Sequence, residues 1–308
     1  MRFAQIYTAR GLRTHLRTAA GGYIDLGDAA DDESLASLNG LIDGYPSLAD
    51  RLGELRERAG SDIDESEFGP AAPNPGRILC VGRNYREHAL EVGDIASAAD
   101  IPDWPETFVR GADSVAGPYA ELVRPAFTSC LDFEGELGVV IGRDCRYVRA
   151  ADALEAVFGY TVLNDVTARD WQRAGLQWTP GKNFDASMPI GPEIVTADEV
   201  DVTDLRLTTT VNGVEMQSAN TAQMMVGVAE TIEFFSSFTT LRRGDVIATG
   251  TPGGVGFARK PPLYLGPGDR VEVAIEGIGA IRNLVVAEQG APVDWPWIPL
   301  VREAHPAP

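Results

Sequence analysis

Hydrophobic and polar positions along this chain alternate in short runs, the period-2 pattern of half-buried β-strands. Residues 268–279 alternate strictly, and residues 205–217 form two runs around Asn212-Gly213, a strong hairpin signal. Apolar runs at residues 77–82 and 158–165 predict further strands. Helical spacing is longest at residues 221–238. The pattern therefore predicts an α+β protein that is mainly β.

Composition shifts along the chain suggest four parts. Residues 1–60 combine two short predicted strands with two segments of helical spacing, which indicates a small N-terminal α/β unit. Residues 61–76 are rich in Asp, Glu, Pro and Gly and are predicted to be a linker. Residues 77–290 would form the main domain, and the proline-rich residues 291–308 a C-terminal tail.

Residues 131–142 hold three carboxylates that lead into an apolar, buried strand. Side chains alternate along a strand, so Asp132, Glu134 and Glu136 would share one face. Carboxylates on one face repel each other and resist burial, so a positive charge is required there. A solvated acidic edge strand is one interpretation. The other is that Glu134 and Glu136, with Asp165 from the end of the next strand, bind Mg²⁺ or Mn²⁺.

A histidine and a carboxylate are spaced for general-base chemistry. His88 and Glu91 stand three residues apart on a predicted short helix, so they are neighbours on one face. A carboxylate beside an imidazole raises its basicity and fixes its tautomer. An exposed ion pair is the simpler interpretation of these two residues taken alone. The irregular residues 94–107 that follow are predicted to form a mobile lid over a pocket.

Two loops carry further candidate site residues. Lys182, one of only two lysines in the chain, lies in residues 178–192, where prolines and glycines predict a rigid loop. Thr251 lies in the glycine-rich end of residues 246–256, whose backbone amides suit a carboxylate or an oxyanion. This stretch lacks the Gly-Lys-Ser/Thr of a phosphate-binding loop and does not fit a dinucleotide fingerprint.

The composition of the chain and the absence of certain motifs argue against several classes of function. The formal net charge of −19 argues against nucleic acid and anionic membrane surfaces as partners. Three cysteines without a Cys-x-x-Cys pair argue against a disulfide framework or a zinc ribbon. The absence of a Gly-x-Ser-x-Gly elbow argues against a serine hydrolase. Without a signal-peptide pattern or a long apolar run, the chain is predicted to be soluble and cytoplasmic.

Taken together, these motifs resemble the fumarylacetoacetate hydrolase family over roughly residues 77–288. Any one motif is weak, but several in the same order at sensible spacing form a specific signal. The matching motifs are Gly82-Arg83-Asn84-Tyr85 with His88 and Glu91, residues 132–137, Gly159-Tyr160-Thr161, residues 164–170 with Gln172, Gly181-Lys182 with Phe184-Asp185, and Thr249-Gly250-Thr251-Pro252.

The resemblance implies a fold, an assembly and a set of roles. The fold would be the family's mixed β-sandwich roll, assembled as a homodimer with one Mg²⁺ or Mn²⁺ per subunit. Residues Glu134, Glu136 and Asp165 match the metal ligands. The catalytic group would comprise His88, Glu91 and Lys182, and the predicted substrate-binding residues are Arg83, Tyr85, Arg169, Gln172 and Thr251.

Three functional hypotheses are consistent with this site. In the first, the protein is a divalent-metal-dependent hydrolase that cleaves a C–C bond in a 2,4-dioxo acid of the acylpyruvate type, through a pyruvate enolate. In the second, the same site decarboxylates oxaloacetate-like 2-oxo diacids. Alternatively, it isomerises the double bonds of 2-hydroxy-dienedioates or interconverts keto and enol forms. In the third, a metal only braces the carboxylate strand. We favour the first, with a small 2-oxo acid as the partner, although the sequence does not separate it from the second. The third is disfavoured because bracing requires neither the His88–Glu91 pair nor Lys182.

Overall fold

The fold was analysed in a computed structural model, which describes residues 1–92, 104–290 and 295–304. Most of the predicted lid, residues 94–103, lies outside the described residues. The rest of the predicted lid leads into a strand that begins at Glu106. Within the described ranges, no helix is long and apolar enough to cross a membrane.

The strands and helices of the described residues are numbered in chain order. The strands are β1 (Arg2–Thr8), β2 (Gly11–Arg17), β3 (Tyr23–Asp25), β4 (Ile78–Gly82), β5 (Glu106–Arg110), β6 (Val115–Ala116), β7 (Leu122–Arg124), β8 (Leu131–Asp132), β9 (Gly135–Ile141), β10 (Val157–Asn164), β11 (Thr167–Ala168), β12 (Met188–Thr196), β13 (Arg206–Val211), β14 (Val214–Asn220), β15 (Val246–Ala248), β16 (Arg270–Ile275) and β17 (Gly279–Ala287). The helices are α1 (Leu26–Ala30), α2 (Leu38–Arg56), α3 (Arg86–Glu91), α4 (Ala150–Ala153), α5 (Arg169–Gln172), α6 (Thr179–Lys182), α7 (Val228–Phe238) and α8 (Trp297–Ala304).

Two larger sheets form the body of the fold. The first has the strand order β3-β2-β1-β12-β10-β9-β15-β4-β5, with β6 pairing in parallel to β12. The second has the order β14-β13-β16-β17-β7, and β8 pairs with β11 in a separate two-stranded ribbon. Most neighbours are antiparallel, whereas β15 and β4 run parallel. This arrangement is a mixed sandwich of strands with short helices at its edges.

Strand β9 lies at the centre of the first sheet and is buried on both faces. All seven of its residues are buried. Leu137, Val139 and Ile141 pack in one core with residues of the second sheet, whereas Val140 packs in a core on the opposite side. Two covered faces explain why this strand is a continuous apolar run rather than an alternating one. A Cβ atom added at Gly135 would lie 2.2 Å from Thr209 Oγ1, so glycine permits the two sheets to meet here.

The N-terminal residues extend the main sheet. Strand β1 is antiparallel to β12, with Arg2 opposite Val195. The ring of Phe3 stacks on Phe158 at a centroid distance of 5.9 Å, in a core that both parts of the chain share. Within residues 61–76 the second half packs against the protein, since Ala71 and Ala72 are buried, whereas most of residues 61–67 are exposed. Residues 1–60 therefore share a sheet and a core with the main domain. The division of the chain into four parts stays a prediction from composition.

Some local predictions are confirmed and others are wrong. The hairpin is confirmed: β13 and β14 pair around Asn212 and Gly213, both at positive φ. The helix predicted to be the longest begins at Val228 rather than at residue 221, because residues 221–223 form a separate 3₁₀ turn capped by Asn220. With 11 residues it is also shorter than α2, which has 19. Residues 178–192 are not a continuous loop, since they contain α6 and the start of β12.

Candidate active site and metal centre

Three carboxylates meet at one end of the central strands, as the sequence predicts. Glu134 precedes β9, Glu136 lies on it, and Asp165 follows β10. Antiparallel pairing places Asn164 opposite Gly135, and the amide N–H of Asp165 donates to the carbonyl of Glu134 at 2.8 Å. One oxygen from each carboxylate lies within 4.8 Å of the others, and all three residues are buried. This cluster offers the oxygen donors that a hard divalent cation requires.

Lys182 and two arginines surround the carboxylates. Lys182 Nζ lies 2.8 Å from Glu134 Oε2 and 2.6 Å from Asp165 Oδ2, and the lysine is almost fully buried. The guanidinium of Arg110 forms an ion pair with the other oxygen of Asp165. Arg169 Nη2 lies 2.6 Å from Glu134 Oε1. Two of the three candidate ligands therefore have cationic neighbours in the protein itself.

Glu136 differs from the other two carboxylates. It accepts a hydrogen bond from the Gly250 amide at 2.7 Å, and no ion pair to it occurs within the described residues. Burial, followed by repulsion from Asp165 and Glu134, raises the pKa of Glu136 well above its usual range. Burial also acts to raise the pKa of Glu134, but the charges of Lys182 and Arg169 outweigh it and hold that pKa at about 2. An added cation would relieve the repulsion at Glu136, so the donor set fits a divalent metal ion.

Asp132 is buried but lies outside the cluster. Strand β8 ends at Asp132 and β9 begins at Gly135, so the alternation that would align the three acidic residues is interrupted. Its carboxylate accepts from Arg169 Nε at 2.8 Å and from the amides of Gly256 and Phe257 at 2.8 Å and 3.1 Å. Asp132 therefore positions Arg169 and the loop that carries Phe257.

His88 and Glu91 form the predicted pair on α3. His88 Nδ1 lies 2.9 Å from Glu91 Oε1, and the Glu91 carboxylate accepts from the Gly254 amide at 2.9 Å and 3.0 Å. A carboxylate only accepts hydrogen bonds, so Nδ1 carries a proton, and in the neutral form of the ring the lone pair is on Nε2. His88 lines the same cavity as Glu134 and Glu136. The structure therefore holds the imidazole through Nδ1 in the cavity that two of the carboxylates line.

Four of the five predicted substrate-binding residues line this cavity: Arg83, Arg169, Gln172 and Thr251. The hydroxyl of Thr251 donates to the Gly135 carbonyl at 3.0 Å and accepts from Gln217 Nε2 at 2.7 Å, so it also joins the two sheets. Tyr85 is buried and is not among the lining residues described. Burial raises the pKa of its phenol, and its hydroxyl has no hydrogen-bond partner within the described residues.

Sequence reasoning missed Arg110, whose side chain is fully buried. It bonds to Asp165, to the hydroxyl of Ser187 and to the carbonyl of Val166. The local sequence places one arginine at the end of a short strand, which is a common surface pattern. Its role depends on Asp165, 55 positions along the chain, and no motif reveals a contact over such a separation.

Comparison with known proteins agrees with the geometry of the candidate site. The mixed fold carries a buried carboxylate cluster with donors suited to a divalent ion. The family model described as "Fumarylacetoacetate (FAA) hydrolase C-terminal" matches residues 77–286. The chain belongs to the fumarylacetoacetate hydrolase family. The predicted mixed fold of that family is confirmed, since solved members align over nearly the whole chain. The protein is therefore an enzyme of this superfamily.

The names of several relatives describe activity on 2-oxo acids. Oxaloacetate tautomerase FAHD2A, mitochondrial, from Bos taurus is 44% identical over 229 residues, 73% of this chain and 71% of that protein. Oxaloacetate tautomerase YisK from Bacillus subtilis (strain 168) is 37% identical over 274 residues, 88% of each protein. The structure of maleylpyruvate hydrolase from Sphingobium sp. SYK-6 with manganese(II) and pyruvate has a TM-score of 0.75 and 27% identity, covering 94% of this chain and 100% of that chain.

Proposed function

We propose that this protein interconverts the keto and enol forms of a 2-oxo acid, with oxaloacetate-like diacids as the substrate class. The observation that carries the proposal is that an oriented imidazole and a buried carboxylate cluster line one cavity. Two relatives with 37% and 44% identity are oxaloacetate tautomerases, which supports the same reaction here. Tautomerisation requires one group to move a proton and no leaving group.

Glu134, Glu136 and Asp165 would hold the divalent ion, Mg²⁺ or Mn²⁺. A bound ion supplies Lewis acidity, which polarises the 2-oxo group and makes the neighbouring C–H bond more acidic. Counted as fully ionised, the four buried carboxylates, including Asp132, face three cations, Lys182, Arg110 and Arg169, which gives a formal net charge of −1. A divalent ion would reverse this sign, and the cavity would then attract an anionic substrate.

The proton transfer is assigned to His88. Its Nε2 atom takes a proton from C3 of the substrate, and the electron pair of that C–H bond becomes the C2–C3 double bond. The carbonyl π electrons move to the 2-oxygen, and the imidazolium returns the proton to that oxygen. Glu91 stabilises the transient imidazolium through Nδ1, at 2.9 Å, and is itself held by the Gly254 amide.

Gln172 and Arg169 complete the polar wall of the cavity. Arg169 Nη1 donates to Gln172 Oε1 at 3.0 Å, so the amide group of Gln172 is oriented and its N–H₂ group is free to donate to a substrate oxygen. Lys182, held by Glu134 and Asp165, places its ammonium group among the lining residues of the cavity. Both features favour negative charge that develops on the substrate oxygen during enolisation.

The test follows the ultraviolet absorbance of enol oxaloacetate as it decays to the keto form. The protein is stripped with a chelator and then assayed alone, with Mg²⁺ and with Mn²⁺, against the same ions without protein, because free ions also promote enolisation. The proposal predicts metal-restored decay without release of pyruvate, and loss of this activity in His88→Asn. Arg149→Gln, a change at an exposed surface pair, is the matched control. Equal decay with and without protein would refute the proposal.

C–C bond hydrolysis of an acylpyruvate is the second candidate. The 27% identity to a maleylpyruvate hydrolase whose structure contains manganese and pyruvate supports it. In that reaction His88 would deprotonate a water molecule instead of a substrate carbon. Acetylpyruvate in the same assay separates the candidates, because hydrolysis releases pyruvate in proportion to the enol consumed. Pyruvate released from oxaloacetate would instead identify a decarboxylase.

The proposal also covers the oligomeric state, the partners and the cellular location of the protein. We propose a homodimer, as the family resemblance implies, with a small 2-oxo acid as the ligand and neither nucleic acid nor membrane as a partner. Size-exclusion chromatography with light scattering tests the dimer directly. A cytoplasmic location stays a prediction from the sequence, and the relative from Bos taurus is by its name a mitochondrial protein.

A further inference from the structure

Four positively charged residues line the cavity: Arg83, Arg169, Arg173 and Lys182. Three of them are paired within the protein. Arg83 forms a bidentate ion pair with Glu106, Arg169 bonds to Asp132 and Glu134, and Lys182 bonds to Glu134 and Asp165. No ion pair of Arg173 occurs within the described part of the chain. Among the described residues, Arg173 is therefore the lining cation without an ionic partner.

The side chain of Arg173 is oriented by an aromatic ring. Its guanidinium carbon lies 4.7 Å from the centroid of the Phe257 ring, and that of Arg169 lies 4.5 Å from the same centroid. Phe257 is in turn fixed by the hydrogen bond from its amide to Asp132. A guanidinium that stacks on a ring keeps its N–H groups at the edge free to donate. Arg173 is thus restrained, and its guanidinium makes no hydrogen bond to any residue that the structure describes.

Arg173 lies one helical turn from the inner part of the site. Its amide donates to the carbonyl of Arg169 at 3.2 Å, so the two residues are neighbours on one face of α5 and its C-terminal turn. One turn advances about 5.4 Å along the axis. Arg169 contacts Glu134, whereas Arg173 is exposed at the mouth of the cavity. Both guanidiniums lie against the Phe257 ring, so Arg173 stands beside Arg169 but is more exposed to solvent.

We infer that Arg173 binds the distal carboxylate of the substrate and selects 2-oxo diacids over 2-oxo monoacids. This inference rests on the proposed function and narrows its substrate class. With a divalent ion bound, the inner site carries a net positive charge that one substrate carboxylate balances. A second carboxylate requires another cation, and a guanidinium edge accommodates it with two parallel hydrogen bonds. Arg173 is a specificity-determining residue in this reaction.

The test compares two ligands of equal chain length by titration calorimetry with Mg²⁺ present. Oxaloacetate carries a C4 carboxylate, and 2-oxobutanoate carries a C4 methyl group. We expect the wild-type protein to bind oxaloacetate about tenfold or more tightly than 2-oxobutanoate, because one charge-assisted hydrogen bond contributes a tenfold or larger gain in affinity. Arg173→Gln should lose most of this preference. Binding of 2-oxobutanoate should change less than about twofold, since its methyl group makes no such bond. Arg173→Lys should keep part of the preference, and Arg149→Gln all of it.

Binding and turnover separate this inference from the proposed function. A preference that Arg173→Gln abolishes supports the inference even if the protein fails to tautomerise oxaloacetate. Tautomerase activity whose KM for oxaloacetate is unchanged in Arg173→Gln overturns the inference and leaves the proposed function intact. Equal weakening of both ligands also overturns it, because that result indicates a structural effect on the cavity. Wild-type protein without a preference for the diacid overturns it as well.

Discussion

Replacing Arg110 with methionine should destabilise this protein strongly, although the substitution keeps an unbranched side chain of similar length. The guanidinium is fully buried and bonds to Asp165, Ser187 and the Val166 carbonyl. Its removal leaves the Asp165 carboxylate with Lys182 as its remaining cationic partner among the described residues. Breaking one partner of a buried ion pair costs about 3–5 kcal/mol. For a chain of this size we expect the melting temperature to fall by roughly 6–10 °C.

A double-mutant cycle tests the reason for that loss. Scanning calorimetry of chelator-treated protein compares the wild type, Arg110→Met, Asp165→Asn and the double variant. If the cost comes from an unpaired carboxylate, Arg110→Met should cost at least about 2 kcal/mol less when Asp165 is already neutral. Arg149→Met removes an exposed pair with Glu233 and should cost less than about 1 kcal/mol. Additive effects in the cycle would refute the assignment of Arg110 as the partner of Asp165.

Three further predictions concern the metal, the base and the sheet contact. Mg²⁺ or Mn²⁺, added at about 100 times the dissociation constant of the wild-type protein, should stabilise chelator-treated protein by about 2.7 kcal/mol and raise its melting temperature. Glu136→Gln at the same ion concentration should show a smaller rise. An equal rise in the variant would contradict the ligand assignment. His88→Asn should lower kcat by roughly 10²–10⁴-fold with little change in ligand affinity, as measured by enol decay and calorimetry; unchanged kcat would remove His88 from the mechanism. Gly135→Ala should unfold at lower denaturant than wild type because its methyl group would lie 2.2 Å from Thr209 Oγ1, whereas Gly53→Ala, with open space around it, serves as the control.

Local chemistry in the sequence was sufficient to locate the candidate site. The carboxylates Glu134, Glu136 and Asp165 could be grouped because strand alternation and strand ends are local properties, and the structure brings them within 4.8 Å. The spacing of His88 and Glu91 likewise predicts their contact, since residues three apart on a helix are neighbours. The hairpin at Asn212-Gly213 required only the backbone preferences of two residues.

Long-range packing decided what these patterns left open. Strand β1 joins the main sheet because it pairs with β12, almost two hundred positions away in the chain. Helix α7 begins at Val228 rather than at residue 221 because Asn220 caps a different turn. Tyr85 matches the family motif but lies buried outside the described cavity lining. In each case the outcome depends on distant partners that a single sequence does not identify.

The sequence by itself determined the chemistry of this protein: which side chains ionise, which strands are apolar enough to be buried, and which spacings place neighbours together. Only the tertiary structure decided the charge balance around them. It placed Arg110 against Asp165, left Glu136 without an ion pair in the described residues, and held Arg173 on Phe257 at the cavity mouth. The physical reason is that burial and distance set the strength of every charge interaction, and both are fixed by contacts between residues far apart in the chain.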